Sequence, residues 1–338
     1  MGDRRMVALV GGESLLGAEM RDVFRDRFPG IKVRLVGSEE DGTAILTAEA
    51  GEAVVMTGLD GDTLAGAGAI VLAGSVESSR KALEMLYETV DRADDAPAIV
   101  DATHAFEEEP EVRVRAPIAE PALPSLTRLQ GVAHPAAIVL AAFLRHLHKR
   151  IPVTRSVAQI LLPVSEFGRP GVSELQRQTA QLLTFQKQDR AVFDDQIAFN
   201  LLARYGLDAK VSVSSIEKRI ERHLASLLSL SPPVPMPSLR AIQAPVMHGL
   251  ALSVWVEFVE TPHPLALTNA IQSAYFDVRG PETEAPSPVN AAGMDGVTVG
   301  AVEADRNHSR AAWFWLAADN FRIVADNAAL LVEAILEA

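Results

Sequence analysis

Apolar residues follow two different patterns along the chain, and the change lies near residue 134. Before that point, short runs rich in apolar residues alternate with helical stretches. The runs lie at residues 6–10, 31–36, 69–74 and 98–102. Short apolar runs of this kind are typical of strands that are buried on both faces of a parallel sheet. The order strand, glycine turn, helix, strand predicts a doubly wound α/β domain.

Beyond residue 134 the predicted strands are separated by long stretches of chain. Helical patterns lie at residues 136–148 and 172–183, and strand patterns at residues 156–162, 241–245 and 252–258. This arrangement predicts a mixed sheet with helices on one face, an α+β domain. A last helix is predicted over residues 320–338. Its apolar stripe needs a core to cover, and consists of Val324, Ala328, Leu331 and Ile335.

Charge and cysteine content exclude several classes of function. The 338 residues carry a formal net charge of -13, which argues against a nucleic-acid partner and against an anionic membrane surface. No apolar run approaches the roughly 18 residues of a membrane span, so we expect a cytoplasmic protein. The chain has 0 cysteines, which rules out disulfides and thiolate metal sites. His146 and His148 do not share a helix face, and no metal site is predicted.

The first predicted strand leads into a glycine-rich turn with the spacing Gly11-x-x-Ser14-x-x-Gly17. Backbone N–H groups at such a turn, together with the positive helix end, suit a phosphate group. The turn has Ser14 where the usual dinucleotide-binding pattern has a glycine. Glycine also occurs at strand–helix turns for steric reasons alone. Both interpretations remain open at this point.

An acidic cluster follows the second predicted strand and Ser38. It consists of Glu39, Glu40 and Asp41. Acidic side chains at this place suit the ribose hydroxyls of NAD and repel the 2′-phosphate of NADP. We therefore expect NAD rather than NADP if a dinucleotide binds. A solvated acidic loop would explain the cluster equally well.

Seven segments, in order along the chain, resemble motifs of the aspartate-semialdehyde dehydrogenases. They match the glycine-rich loop, a core strand with the segment after it, the Asn-Pro-Asn-Cys nucleophile loop and the Val-Ser-Gly-Ala-Gly loop, followed by Ala-Phe-Asn, Val-Pro-Val-x-x-Gly and Ala-Asp-Asn. The segments are residues 10–17, 99–106, 132–137, 164–168, 196–200, 244–249 and 318–320. The resemblance covers nearly the whole chain, and it is closest to a cysteine-free, usg-type subgroup of the family.

The resemblance implies an N-terminal Rossmann domain, residues 1–133 with 318–338, and an α+β catalytic-like and dimerisation domain, residues 134–317. It implies a homodimer whose interface lies near residues 198–200. It also implies a set of cofactor-binding positions. These are Gly11, Glu13, Ser14, Leu15, Leu16, Gly17, Ser38, Ala73, Gly74 and Asn320.

The residues that carry the family's reaction are replaced in this chain. By resemblance, that reaction needs a nucleophilic cysteine, a histidine, a glutamine, an arginine for the substrate carboxylate and an arginine for phosphate. In that order, the positions read Ala137, Leu250, Leu162 or Pro163, Gln243 and Glu107. No catalytic residue of the family is therefore retained. His134 and His248 lie nearby, but a histidine cannot form the thioester, and Ser165 is a weak nucleophile without a placed base.

Three hypotheses follow from these replacements. The first is a silent relative that keeps the NAD-binding fold and dimerises, without the family's dehydrogenase activity. The second is an NAD(P)-dependent oxidoreductase of the amino-acid biosynthesis family with an altered substrate. The third is a subunit that assembles with an active homologue. We expect NAD binding to be weak and NADP binding weaker, and a chain that binds neither also fits the sequence.

Overall fold

The computed structural model describes residues 3–38, 44–47, 53–90, 96–120 and 126–337. The chain forms two compact units. Unit 1 comprises Met1–Ala133 with Val324–Ala338, and unit 2 comprises His134–Ile323. Within the described ranges, no helix has the length and apolar character needed to cross a membrane.

Unit 1 alternates strands and helices. Its elements are β1 (Asp3–Val10), α1 (Leu15–Arg27), β2 (Lys32–Val36), β3 (Ala44–Thr47), β4 (Ala53–Met56), α2 (Gly61–Ala65), β5 (Ala67–Leu72), α3 (Val76–Thr89), β6 (Ala98–Asp101), β7 (Arg113–Arg115) and β8 (Leu129–Val132). Six of these strands form one sheet in the order β2-β1-β5-β6-β8-β7. Every pairing in this sheet is parallel, which confirms the predicted α/β class.

The apolar run of β1 lies in the middle of this core. Val7, Leu9 and Val10 have no exposed surface, because β1 is flanked by strands on both edges and covered on both faces. Leu64 on α2 and Leu86 on α3 pack into the same core. Residues 6–10 are therefore continuously apolar because β1 is buried on both faces, as the sequence predicted.

Unit 2 contains the remaining elements. They are α4 (Pro135–His148), β9 (Val153–Leu162), a 3-10 helix (Val164–Phe167), α5 (Gly168–Leu183), α6 (Val213–Leu228), β10 (Ser238–Gln243), β11 (Leu250–Phe258), α7 (Pro264–Ile271), β12 (Phe276–Val278), α8 (Pro288–Ala291), β13 (Val297–Ala304), β14 (Ala311–Ala318) and the start of α9 (Asn320–Glu337). The rest of α9 belongs to unit 1, where the backbone oxygen of Asp326 accepts a hydrogen bond from Arg27.

The sheet of unit 2 is mixed, with the order β10-β9-β11-β14-β13-β12. The side chains of β9 show that one face of this sheet is covered and the other is open. Ser156, Ala158 and Ile160 are buried, whereas Val157 between them is 43% exposed. Helices α4 and α6 pack on the buried side. A mixed sheet with helices on one face confirms the α+β prediction.

Two predicted strands shift along the chain in the structure. Strand β5 covers Ala67–Leu72 rather than residues 69–74, because Ala73 and Gly74 already form the turn into α3. Strand β10 covers Ser238–Gln243 rather than residues 241–245. Pro245 has no N–H group and cannot extend a ladder. Helix α6 and strands β13 and β14 were absent from the sequence interpretation.

Candidate functional site

The glycine turn of unit 1 is shaped by close contact between two backbone segments. Gly11 has φ +79°, and a Cβ atom there would lie 2.3 Å from the Cα atom of Gly74. Gly17 is equally restricted, since its Cβ would lie 2.2 Å from the backbone oxygen of Gly11. Glycine is therefore required at these positions for packing.

Ser14 takes the place of the second glycine of the usual pattern, and its side chain caps α1. Its hydroxyl accepts a hydrogen bond from the backbone N–H of Gly17 at 2.8 Å and donates one to the backbone oxygen of Ala73 at 2.7 Å. Ser14 therefore ties the glycine turn to the end of β5. Leu15 and Leu16 form the first turn of α1 and are half-buried.

Glu13 reaches across the turn to the end of β2. Its Oε1 accepts hydrogen bonds from both the backbone N–H and the hydroxyl of Ser38, the former at 3.2 Å. The N–H and hydroxyl donors at the end of this strand are therefore directed at a carboxylate of the protein itself. The predicted acidic cluster of Glu39, Glu40 and Asp41 lies outside the described residues.

Three of the family's catalytic positions lie in unit 2 and are closed to solvent. Ala137 is in the first turn of α4 and Leu250 begins β11, and neither has exposed surface. Gln243 is also fully buried. Its amide donates to the backbone oxygens of Leu162 and Ala244, and its Oε1 accepts from the Tyr205 hydroxyl at 2.6 Å. Gln243 thus serves local packing.

Glu107, which stands at the phosphate-arginine position, lies in unit 1 in the turn after β6. Asp101 organises the start of this turn by accepting hydrogen bonds from the backbone N–H groups of Thr103 and Phe106. Burial raises the pKa of Asp101, and the hydrogen bonds from Thr103 only partly oppose that rise. The loop is therefore organised around a buried carboxyl group.

A hydrogen-bonded pair, His134 and Glu166, lies beside Ala137. His134 caps α4 and has no exposed surface. Its Nε2 is 2.8 Å from Oε1 of Glu166, and its backbone N–H donates to Nδ1 of His223 at 3.0 Å. Burial would raise the pKa of Glu166, but His134 and Arg219 outweigh burial and hold it below the ordinary value. The pair ties the start of α4 to the 3-10 helix.

Unit 2 also brings together a serine, a histidine and an aspartate from three distant segments. Ser165 lies in the 3-10 helix, His248 in the loop before β11 and Asp319 just before α9. Ser165 Oγ is 3.4 Å from His248 Nδ1, and His248 Nε2 is 2.8 Å from Asp319 Oδ2. We call these three residues the Ser165 triad. The Phe321 ring packs against His248, with ring centroids 5.0 Å apart.

Asp319 is held in place by the backbone around it. Its oxygens accept hydrogen bonds from the N–H groups of Gly293, Phe321 and Arg322 at 2.7–2.9 Å. Burial would raise the pKa of Asp319, but His248 and these N–H groups outweigh burial and hold it below the ordinary value. The aspartate is therefore a carboxylate that accepts from His248.

The structure divides the predicted cofactor positions between the two units. Gly11, Glu13, Ser14, Gly17, Ser38 and Gly74 come together in unit 1 around the glycine turn. Asn320 belongs to unit 2 and is buried beside Ser165 and Gly249.

The sequence analysis named His248 and Ser165 but missed their pairing. The sequence did contain one signal for this pairing, Asp319 in the Ala-Asp-Asn segment, which contacts His248 in the structure. No group of three or more potential metal ligands occurs among the residues that the structure describes.

A parallel α/β unit with a glycine turn, joined to a mixed α+β unit, defines the class of the protein as one of dehydrogenase-like architecture. The profile described as "Semialdehyde dehydrogenase, dimerisation domain" matches residues 144–323. The chain therefore belongs to the semialdehyde dehydrogenase family and carries its dimerisation domain. This confirms the resemblance found in the sequence.

Individual relatives agree with this family. A USG-1 protein homolog of Pseudomonas aeruginosa is 36% identical over 178 residues, or 52% of this chain and 52% of that protein, so the match spans about half of the relative's length. A USG-1 protein homolog of Azotobacter vinelandii is 28% identical over 344 residues, with 98% of this chain and 97% of that protein covered. Among solved structures, a probable aspartate-semialdehyde dehydrogenase from Pseudomonas aeruginosa superimposes with a TM-score of 0.84 at 28% identity, over 98% of both chains.

One similar structure contains a cofactor. An aspartate semialdehyde dehydrogenase from Candida albicans, determined with NADP, has a TM-score of 0.67 and 14% identity, over 99% of this chain and 98% of that one. At this identity the likeness concerns the fold alone. A member of the fold thus binds a dinucleotide, and the choice of cofactor for this chain rests on its own residues.

Proposed function

We propose that this protein is a dimerising member of the family that does not carry out the family's thioester-forming dehydrogenation. The observation that carries the proposal is the residue at the nucleophile position. Ala137 has only a methyl group, lies in the first turn of α4 and has no exposed surface. Covalent catalysis through a thioester requires an activated thiolate at that position. The chain has 0 cysteines to supply one.

Substrate anchoring is lost together with the nucleophile. By resemblance, two arginines would hold the substrate carboxylate and the phosphate, because planar guanidinium groups bind oxyanions through paired hydrogen bonds. Gln243 replaces one of them, and its amide is occupied by Leu162 and Ala244. Glu107 replaces the other and reverses the charge. Restoring the thiol alone would therefore leave the substrate without its anchors.

The test is an assay of phosphate-dependent oxidation of aspartate semialdehyde with either NAD or NADP. We expect no turnover above the background without enzyme. A turnover number within roughly a hundredfold of a typical enzyme, about 10 per second, would overturn the proposal. Binding of NAD by calorimetry, measured on the same preparation, separates a silent binding protein from an oxidoreductase that acts by hydride transfer on another substrate.

The residues of unit 1 fit NAD better than NADP. The glycine turn and the start of α1 suit a pyrophosphate, because backbone N–H groups and the positive helix end favour an anion. Glu13 instead directs the donors of Ser38 at its own carboxylate. A 2′-phosphate at this edge would meet that negative charge, whereas ribose hydroxyls can donate to it. When bound, the nicotinamide cofactor would accept or donate hydride, and these residues would only hold it.

The proposed partner is a second copy of this chain. Unit 2 leaves several apolar side chains in solvent, and large exposed apolar groups mark interaction surfaces. Phe199, in the segment that resembles the family's interface, is 69% exposed, and Leu201 just after that segment is 60% exposed. Trp313, on the open face of the sheet, is 40% exposed. Co-purification with an active homologue, in place of self-association, would favour hetero-assembly.

A further inference from the structure

Ser165 has the placed base that its sequence context did not reveal. His248 Nδ1 is 3.4 Å from Ser165 Oγ, and the opposite ring nitrogen is 2.8 Å from Asp319. A nucleophile, a base and a group that orients the base are the three parts of nucleophilic acyl transfer. The Ser165–His248 distance is long for a hydrogen bond, as is common for such pairs before a substrate binds.

The aspartate determines which nitrogen of His248 carries the proton. Asp319 is a carboxylate and can only accept, so the neutral imidazole donates to it through Nε2–H. The lone pair on Nδ1 then faces the Ser165 hydroxyl. The ring nitrogens are exchanged relative to the serine-protease arrangement, in which the aspartate binds Nδ1. The roles of the three residues are the same.

Asn320 supplies a donor next to the nucleophile. Its Oδ1 accepts the backbone N–H of Gly249 at 2.9 Å, which turns Nδ2 toward Ser165 Oγ at 3.2 Å. This hydrogen bond is made to the nucleophile oxygen itself, so Asn320 positions Ser165 Oγ beside His248. Asn320 is 2% exposed, so the surrounding structure holds its orientation.

We propose that Ser165 is the nucleophile of an acyl-transfer activity toward small, uncharged esters. The Ser165 hydroxyl proton moves to His248 Nδ1 as Oγ bonds to the ester carbonyl carbon. The intermediate collapses with cleavage of the ester C–O bond, and the leaving alkoxide takes the proton from His248. Water then attacks the acyl-serine by the same route, which releases the acid and restores the serine.

Because Ser165 is nearly enclosed, we expect only a small acyl group to reach its hydroxyl. Ser165 is 1% exposed, and the His248 side chain, at 30% exposed, is the accessible member of the triad. The neighbouring charged groups are paired with other residues. Glu166 pairs with His134, and Arg322 pairs with Asp295 at 2.7 Å. We name no charged substrate because these groups already have partners.

The absence of cysteine allows a direct test of the base, with no need for the natural substrate. In Ser165→Cys the new thiol is the single one in the chain, and its alkylation by iodoacetamide can be followed against pH. If His248 acts on this position, we expect half-maximal alkylation below about pH 7.5, against about 8.5 for an ordinary thiol. The double variant Ser165→Cys with His248→Ala should return to about 8.5 or above.

Ser156→Cys is the matched control. Ser156 is also a buried serine of unit 2, but its hydroxyl has no hydrogen-bond partner among the described residues. Burial without a base raises a thiol pKa, so this variant should react only at higher pH. Equal profiles for Ser165→Cys with and without His248, or no alkylation of Ser165→Cys at any pH, would overturn the proposal. Thermal melting confirms that each variant is folded.

The second measurement is hydrolysis of p-nitrophenyl acetate by the unmodified protein, with mass spectrometry of the acyl-serine. We expect acetylation at Ser165, a loss of activity in Ser165→Ala and a loss of at least about 10³-fold in His248→Ala. Ser156→Ala should keep the activity. The assay contains neither dinucleotide nor phosphate, so its outcome is independent of the dehydrogenase proposal. Hydrolysis that survives Ser165→Ala would overturn the assignment.

Discussion

At the scale of single residues, the chain has an alanine at the predicted nucleophile position and a hydrogen-bonded histidine in the same loop. The methyl group of Ala137 cannot be activated, and the space beside the former nucleophile loop holds the His134–Glu166 pair. His134 stands where the family motif has asparagine, a residue that also caps helices well. The sequence showed the replacements one by one. The hydrogen bond between His134 and Glu166 could not be predicted from the sequence, because only the fold places these two residues together.

Restoring the thiol should not restore the reaction. In Ala137→Cys we expect no phosphate-dependent oxidation of aspartate semialdehyde, because Gln243 and Glu107 still replace the two arginines and Leu250 the histidine. Since the position has no exposed surface, the new thiol should also react slowly with a thiol reagent. Enzyme assays and alkylation of the same folded variant test both statements. Turnover near that of an ordinary enzyme would contradict the anchoring argument.

The Glu166 carboxylate should make stability depend on pH in acid. Its folded-state pKa lies below the ordinary 4.5, so its contribution is present above about pH 4.5 and is lost as pH falls through the folded-state value. Glu166→Gln should lower the free energy of unfolding at neutral pH by roughly 1–3 kcal/mol, since the charge-assisted hydrogen bond from His134 to the carboxylate is lost. The two proteins should converge as pH falls toward about 3.

Urea unfolding at several pH values measures this difference. A double-mutant cycle with His134→Asn isolates the pair, because asparagine keeps a capping side chain on α4. If Glu166→Gln lowers stability equally in the presence and absence of His134, the hydrogen bond between His134 and Glu166 is not the cause of the loss. A difference that grows as pH falls would contradict the sign of the pKa shift.

At the scale of elements, the strand–turn–helix segment of unit 1 shows how a glycine pattern can be changed without losing its geometry. Ser14 caps α1 and bonds to Ala73, so the turn keeps its form without the second glycine. Glu13 uses the same turn to place a carboxylate on Ser38. The sequence predicted negative charge near the phosphate positions. Glu13 can accept the hydrogen bonds from Ser38 only because the end of β2 lies next to the turn.

Glu13→Gln should improve NADP binding more than NAD binding. Removing one charge near a surface changes the interaction by about 1 kcal/mol, or roughly fivefold in affinity. The gain should shrink at higher ionic strength. Calorimetry at two salt concentrations measures this, with Glu84→Gln on the exposed side of α3 as the control. NADP binding that is tighter than NAD binding in the unchanged protein would contradict the charge argument.

At the scale of the whole molecule, we expect association to depend on apolar groups that unit 2 leaves exposed. Phe199 and Phe185 both have φ +57° and are 69% and 99% exposed. They form a matched pair of positions, because asparagine tolerates this left-handed backbone better than phenylalanine. Substituting asparagine at each position in turn separates the loss of a contact between subunits from the relief of backbone strain, because both substitutions relieve the strain.

Phe199→Asn should shift the protein from dimer toward monomer, because Phe199 lies in the segment that resembles the family's interface. Phe185→Asn should leave the dimer unchanged. Sedimentation velocity over a range of protein concentrations measures the shift. Dissociation in both variants, or in neither, would place the interface elsewhere on unit 2, with the open sheet face around Trp313 as the next candidate.

The sequence alone determined the fold class, because apolar periodicity reports whether a strand is buried on one face or two. It also indicated the family, which the dimerisation-domain match confirms. The loss of the thioester route stays a prediction that rests on the 0 cysteines of the chain. The sequence interpretation failed for α6, although Val213, Ile216 and Ile220 follow helical spacing and are buried. The domain limits at residues 133 and 318 stay a prediction.

The tertiary structure decided which side chains act on one another. Ser165, His248 and Asp319 are separated by 83 and 71 residues, and their contacts depend on β9, β11 and α9 meeting at one place. Local pattern carries no information about such contacts, because they arise from packing between elements that are distant in sequence. The same reason hid the bond from Glu13 to Ser38 and the enclosure of Gln243 by Tyr205.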